Sequence, residues 1–425
     1  MEAAPWLADS MVRQLRADFG TPLYVYDQRS LLAQAQQALA FPAPFGLTVR
    51  YAMKACPSAA VVRALVGAGL HIDASSGHEA WRALRAGVTP TSIQLTTQEL
   101  PADLEALLAT GVLFNASSLR QLEAYGRIRP GTSASFRVNP GLGSGHSNRT
   151  NVGGPAASFG VWHEHLDQAR GIAARFGLTI TGLHSHIGSG TDPEVWHRCA
   201  RLTLTIASLL PDVVRVSLGG GFKVGRMPGE LSTDLQRIGT PIAAELERFA
   251  RDHGRRLHLE IEPGTFVAAN AGALVCTVTD IVDTGPAGYR FIKTDSGMTE
   301  ILRPSLYGAQ HPLRLVRAAA SPPASQELAT YVVVGHCCES GDVLTPAPGN
   351  PEALGPRSLP VAHVGDLLVI GGSGAYCAAM PAKNYNSFPE AAEAMLDQAG
   401  TPHLIRRRQT LEQMLANEIL PPFLR

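Results

Sequence analysis

The chain has 425 residues, no formal net charge, 45% hydrophobic and 17% charged residues, a globular composition with room for two domains. Zero net charge argues against broad electrostatic attraction to nucleic acid or anionic lipid, and no apolar run approaches the roughly 20 residues that a membrane-spanning helix needs. Six cysteines (Cys56, Cys199, Cys276, Cys337, Cys338 and Cys377) are scattered without metal-ligand spacing, which suits a reduced compartment, by default the cytoplasm, rather than a disulfide framework. The opening stretch MEAAPWLADSMVRQLRADFG is amphipathic and mixed in charge, unlike a secretory signal.

From about residue 30 to 265, short apolar strand candidates alternate with helical patterns. LTVRYAMK leads into SAAVVRALVGAG, HIDASS into GHEAWRALRAG, SIQLTT into ELPADLEALLATG, and VLFNAS into SLRQLEAYGRI. SASFRVNP, LTITGLHSHIG, VVRVSLGGG and RLHLEIEPG continue the series. This rhythm predicts a (β/α)8 barrel over residues 29–266, whose active face lies just after the strands. Beyond it, ALVCTVTDIVDT, YRFIKTDS, ATYVVVGH, SGDVLTP and DLLVIGGSGAY read as strands between Gly/Pro turns. They predict a mostly β domain over 267–425, completed by TPLYVYD within residues 1–28.

The chemistry-bearing residues fall at the expected strand ends. Lys54 follows a buried strand, where an amine loses hydration unless it has a task; alone it reads more readily as a lysine whose head snorkels to solvent. Gly219, Gly220 and Gly221 allow close approach of a phosphate, although a lone triple glycine is more often a turn. His184 and His186 stand at i and i+2, on one face of a strand, where packing or a metal site is the plain alternative. Glu260 and Glu262 share a face at the last strand end, where a surface carboxylate or salt bridge is the plain alternative. Their convergence suits pyridoxal phosphate, which needs an amine for its aldehyde, donors for its phosphate, a planar group against its ring and a carboxylate at its pyridine nitrogen. That carboxylate keeps the nitrogen protonated, so the ring can accept the electrons left when a bond to the substrate α-carbon breaks.

YAMKA, RVNPGLGSGHSNRTNVGG, HSHIGSG, LGGG, EIEPG, DSGMTEILRPSLYG, CCESGDVL, GAYCAAM, NYNS and LIRRRQT together resemble the barrel-type pyridoxal-phosphate decarboxylases, and within them the bacterial diaminopimelate decarboxylases, over nearly the whole chain. The resemblance implies an alanine-racemase-like, fold type III architecture and a homodimer with shared active sites. It implies that Lys54 carries the cofactor covalently and that His186 stacks on its ring. By the same resemblance Ser189, Gly219, Gly220, Gly221, Pro263, Gly264 and Tyr376 would contact the cofactor, with Glu262 at the pyridine nitrogen. Arg303, Tyr307, Glu339 and Tyr376 would hold substrate, and Cys338 and Glu339 would enter the partner subunit's site. An ordinary thiol, with pKa near 8.5, is mostly protonated at neutral pH, so Cys338 could return a proton to the α-carbon.

Four departures bear on substrate choice. The family's Glu-Pro-Gly-Arg is Glu262-Pro263-Gly264-Thr265 here, its Ser-Lys-Phe-Gly is Ala157-Ser158-Phe159-Gly160, and Phe388 replaces a frequent arginine. The GAY…NYN segment is one residue longer, with Lys383 the sequence-level candidate for a relocated cation beside Thr265. The reading is α-decarboxylation of an amino acid, with meso-diaminopimelate giving L-lysine. Its alternatives are another diamino or carboxylated amino acid, a racemase on the same barrel, which would not be expected to carry CCESGD, and a silent homologue, against which Lys54, Cys338 and the glycines speak.

Overall fold

The computed structural model describes residues 3–143, 152–186, 188–318 and 327–424. The SGHSNRTN portion of the long loop motif, Ile187 and the SPPASQ loop lie outside them. The chain divides into two compact units, one comprising residues 31–225 and 231–268, the other residues 1–30, 226–230 and 269–425.

The first unit is a closed parallel barrel of eight strands. In chain order they are Leu47–Ala52, His71–Ala74, Ile93–Leu95, Leu113–Ala116, Ser133–Asn139, Thr179–Ser185, Arg215–Ser217 and His258–Ile261, the eight apolar runs read from the sequence. The first strand pairs with the last through Leu47↔Leu259, and the fourth with the fifth through Asn115↔Ser135, closing the ring. Amphipathic helices cover it, among them Gly77–Arg85, Leu119–Ile128 and Leu235–His253, whose Ser76, Ser118 and Asp234 side chains accept first-turn amide protons. Such caps are worth about 1 kcal/mol each. The strands are not uniformly apolar. Asp73, Gln94, Asn115, Arg137, His184, Ser217 and Glu260 are all buried on them, and a buried charge needs a partner. Glu260 has one in Arg50, whose Nε and Nη2 donate to its two carboxylate oxygens at 3.2 and 2.9 Å.

The second unit is built on one sheet, in the order Arg357–Pro360, Leu328–Val334, Arg290–Thr294, Gly272–Asp283, Leu23–Asp27, Ala392–Leu396, Pro402–Arg406. Leu367–Gly371 also pairs with the long strand, and Leu313–Val316 with Leu367–Gly371. The expected N-terminal strand is therefore central, pairing antiparallel with Gly272–Asp283 and parallel with Ala392–Leu396. The helix Asp9–Phe19 buries Val12 and Leu15 against an apolar cluster that includes Leu23, Val25, Val275 and Val369. SGDVLTP is not a strand: it makes a single bridge, Val343 to Val334. The reason is Asp342, whose carboxylate accepts the amide protons of Met298 and Cys337 at 2.6 and 2.9 Å and so winds the segment into a turn. No helix among the described residues is long and apolar enough to cross a membrane.

Candidate active site

The polar groups of the barrel unit gather after the strand ends. Glu262, one residue beyond the last strand and 6% exposed, has both carboxylate oxygens engaged. Oε2 lies 3.0 Å from His184 Nε2, and Oε1 accepts from Ser217 Oγ at 3.0 Å. Burial works to raise its pKa, but His184, His186 and Lys54 outweigh it and bring it down to about 2. Glu262 is thus an anion in a buried place, the state needed to keep a facing ring nitrogen protonated.

His186 lies past the end of its strand, which stops at Ser185, so it does not share a strand face with His184 as the i, i+2 spacing predicts. The turn aims its Nδ1 at the Gly220 amide, which donates to it at 3.2 Å. Burial first, then the charges of Arg137 and Lys54, push its pKa well below the ordinary value. A neutral ring that accepts at Nδ1 carries its proton on Nε2. Lys54 also differs from expectation. It sits in a single 3₁₀ turn, Met53–Ala55, and its side chain is exposed rather than desolvated. The strand ends at Ala52, and the turn swings the lysine outward while its neighbours Met53 and Ala55 stay buried. Its charge still acts on Asp73, Glu79 and Glu262, lowering the pKa of each.

The glycines form a cradle that a side chain would fill. Gly219 and Gly221 have φ of +69° and +98°, a region disfavoured for other residues. A Cβ on Gly220 would lie 2.1 Å from the Glu262 carbonyl oxygen, and one on Gly221 1.8 Å from that of Gly188 and 3.0 Å from Ser189 Cα. Pro263 and Gly264 close against the strand that bears Lys54: the Ala52 amide donates to the Pro263 carbonyl at 3.2 Å, and a Cβ on Gly264 would meet Ala55 at 3.2 Å. Thr265 is half-buried and opens the short helix Thr265–Ala268. An amine, a glycine cradle, a neutral imidazole and a buried carboxylate within one barrel fit pyridoxal phosphate.

Four residues of this cluster escape motif reading. Asp73 is buried and its pKa is raised, by burial first and then by Glu262. Glu79 accepts the Ser75 amide proton at 2.7 Å. Arg137 Nη2 donates to the carbonyls of Val152 and His186 at 3.0 and 3.1 Å, with Phe159 4.9 Å from the guanidinium carbon. Ser217 both accepts from the Gly219 amide and donates to Glu262. Only Arg137 had a signal, inside RVNPGLG.

The remaining predicted residues lie in the second unit. Arg303 and Tyr307 begin and end the short helix Arg303–Tyr307. Tyr376 holds φ +57°, a sparsely populated state for a side-chain-bearing residue. The two adjacent cysteines differ. Cys337 is half-buried, and burial, then Asp342, push its thiol up to about 12; Cys338 is exposed, its amide donating to Asn386 Oδ1 at 2.8 Å. Glu339 Oε1 accepts from the Gly341 amide at 3.0 Å and lines an open groove with Met298, Ser305, Lys383 and Tyr385. The structure gives the Lys383 ammonium to Glu390, 3.1 Å away, on an exposed surface. The stretch that reads as departing from the family at Phe388 has its own logic, since the ring stacks on His336 with centroids 3.6 Å apart.

The barrel, its companion sheet and the strand-end cluster define a barrel-type enzyme that works through pyridoxal phosphate. Residues 29–269 match the family model described as "Pyridoxal-dependent decarboxylase, pyridoxal binding domain". Diaminopimelate decarboxylase of Streptomyces coelicolor is 37% identical over 95% of this chain and 91% of its own length. That of Escherichia coli K12 is 36% identical over 97% of each chain. A crystal structure of diaminopimelate decarboxylase superposes with a TM-score of 0.88 at 34% identity, covering 96% of each chain. The chain belongs to the diaminopimelate decarboxylase family of pyridoxal-dependent carboxy-lyases.

Proposed function

We propose that this chain removes the α-carboxylate of an amino acid, with meso-2,6-diaminopimelate as substrate and L-lysine and carbon dioxide as products. The observation that carries this reading is the anionic Glu262, fixed by His184 and Ser217 beside the glycine cradle and the Lys54 charge. Bound there, pyridoxal phosphate supplies the sink for the electron pair left on the α-carbon when carbon dioxide departs.

In this reading Lys54 would hold the cofactor through its aldehyde, and the neutral His186 would pack on its ring. Ser189 and Gly219 to Gly221 receive the phosphate together with Tyr376, and Pro263 and Gly264 shape the wall below Glu262. Cys338 Sγ delivers the proton that replaces the lost carboxylate, and Glu339, Arg303, Tyr307 and Tyr376 hold the substrate, with Thr265 and Lys383 at its periphery. The functional division is a cofactor barrel over 29–266 and a β-rich domain over 1–28 and 267–425. A homodimer in the cytoplasm is the working form, Cys338 and Glu339 of each subunit serving the partner's cofactor.

A second reading, the same reaction on another diamino or carboxylated amino acid, is favoured by Thr265, which offers a neutral hydroxyl where the family offers a guanidinium. Mass-spectrometric product identification with the holoenzyme, across a panel of diamino acids, separates the two. Lysine formed from meso-diaminopimelate is the expected result. Carbon dioxide released from another acid, with diaminopimelate inert, overturns the first reading.

A further inference from the structure

The loop after the seventh barrel strand sends residues 226–230 into the second unit. Arg226, at its head, is 7% exposed although no motif marks it. Its backbone amide donates to Glu230 Oε2 at 2.8 Å, and its Nε donates to the Gly372 carbonyl at 3.0 Å. Gly372 has φ +65°, and a Cβ there would lie 2.8 Å from Arg226 Cδ, so the glycine makes room for the arginine stem. The far nitrogen, Nη2, is buried with no hydrogen-bond partner among the described residues.

It is not alone. Arg303 Nε is likewise buried without a partner, and so is Nε2 of His311, a residue 2% exposed whose Nδ1 is held 2.9 Å from the Gly371 carbonyl. The two guanidiniums act on the same neighbours: both lower the pKa of His311 and both lower that of Cys377, while burial first, then Arg303, brings Arg226 down to about 9. Neither arginine forms an ion pair with a carboxylate side chain among the described residues. Glu230 offsets part of the cost of burying Arg226, but neither guanidinium is hydrogen-bonded to a carboxylate among the described residues, and a buried cation without a paired counter-charge is costly. Such an arrangement persists where an anion completes it, and a guanidinium pair matches a carboxylate in shape and charge.

We infer that Arg226 is a substrate-binding residue which, with Arg303, receives a carboxylate of the substrate remote from the reacting carbon. This deepens the proposed function and rests on it: it assigns the substrate class as an amino acid with a second, distal carboxylate, and it gives the counter-charge to Arg226 in place of Lys383, whose ammonium is already paired. His311 adds no donor: its Nδ1–H donates to the Gly371 carbonyl at 2.9 Å, which leaves Nε2 of the neutral ring an acceptor, and the arginines suffice without it.

The test uses the holoenzyme and two competitive probes, pimelate, which has a distal carboxylate, and hexanoate, which has none. The wild-type protein is expected to bind pimelate about tenfold or more tightly than hexanoate, one charge-assisted hydrogen bond or more. Arg226→Gln should remove most of that preference, Arg226→Lys should restore part of it, and KM for diaminopimelate should rise more than kcat falls. Equal inhibition by the two acids in the wild-type protein overturns the inference without any variant, as does an unchanged preference in Arg226→Gln. If diaminopimelate is inert while pimelate binding depends on Arg226, the proposed substrate falls and this inference stands. If diaminopimelate is turned over with the same KM in Arg226→Gln, the inference falls and the substrate stands.

Discussion

In the barrel, buried carboxylates meet their partners. Glu260 is bridged by Arg50, and Glu262 has His184 on one oxygen and Ser217 on the other. In the second unit Arg226 is buried and Arg303 half-buried, and each has a nitrogen that meets no acceptor among the described residues. The barrel cluster is set to hold a defined group in one protonation state, whereas the arginine pair is incomplete by itself and takes its definition from what binds. This contrast separates the residues that match the family's cofactor motifs from Thr265, which departs from the family's Glu-Pro-Gly-Arg, and from Arg226, which we assign to the substrate.

The sharpest way to break the barrel half of this comparison is Lys54. Lys54→Ala should lower carbon dioxide release about 10³-fold or more, and borohydride treatment of the wild-type protein should fix the cofactor on the peptide containing Lys54. A label on another peptide would remove the lysine from its assigned role. Next in size, Cys338→Ala should cost about 10²-fold, the ordinary worth of a positioned proton donor. Mixing it with Lys54→Ala should restore roughly a quarter of wild-type activity after random exchange in a closed two-fold dimer. Proven subunit exchange with no recovery counts against shared sites.

Glu262 sharpens the comparison through stability. Its folded pKa, about 2, lies below the ordinary carboxyl value of 4.5, so its contribution is fully present above about pH 4.5 and is lost as pH falls toward 2. The shift corresponds to a few kcal/mol. Denaturant midpoints of the wild-type protein should therefore fall between pH 5 and pH 3 more steeply than those of Glu262→Gln, and parallel curves would refute the ion-pair account. The smallest effect is expected at Lys383. Because its ammonium is held by Glu390 at an exposed position, Lys383→Ala should change KM for diaminopimelate by less than about twofold, the surface-pair range. A tenfold rise in KM would return the distal clamp to Lys383.

The eight barrel strands were legible because a strand buried on both faces leaves a dense local record: short apolar runs, each followed by a helix with period 3.6. The same locality explains the misreadings. SGDVLTP has strand composition, but Asp342 binds the amides of Met298 and Cys337 and folds it into a turn. Ala392–Leu396 and Pro402–Arg406 were not read as strands, although the first lies beside Leu23–Asp27, more than 360 residues away along the chain. Pairing at that separation leaves no periodic trace. Lys54 shows both sides: its assignment as the reactive amine comes from YAMKA read with the other motifs, whereas its exposure depends on the turn Met53–Ala55.

By itself the sequence determined the fold class, the cofactor and the family, because each is written in residues that are neighbours along the chain: GGG after one strand, EPG after another, a lysine after the first. Only the tertiary structure decided how charges are matched. Whether Glu262 is anionic depends on His184, 78 residues away, and on His186 and Lys54, and Arg226 became a candidate for the substrate only when the fold buried it against Gly372, 146 residues on. Electrostatic energy depends on separation in space and on burial, and neither is a property of sequence distance.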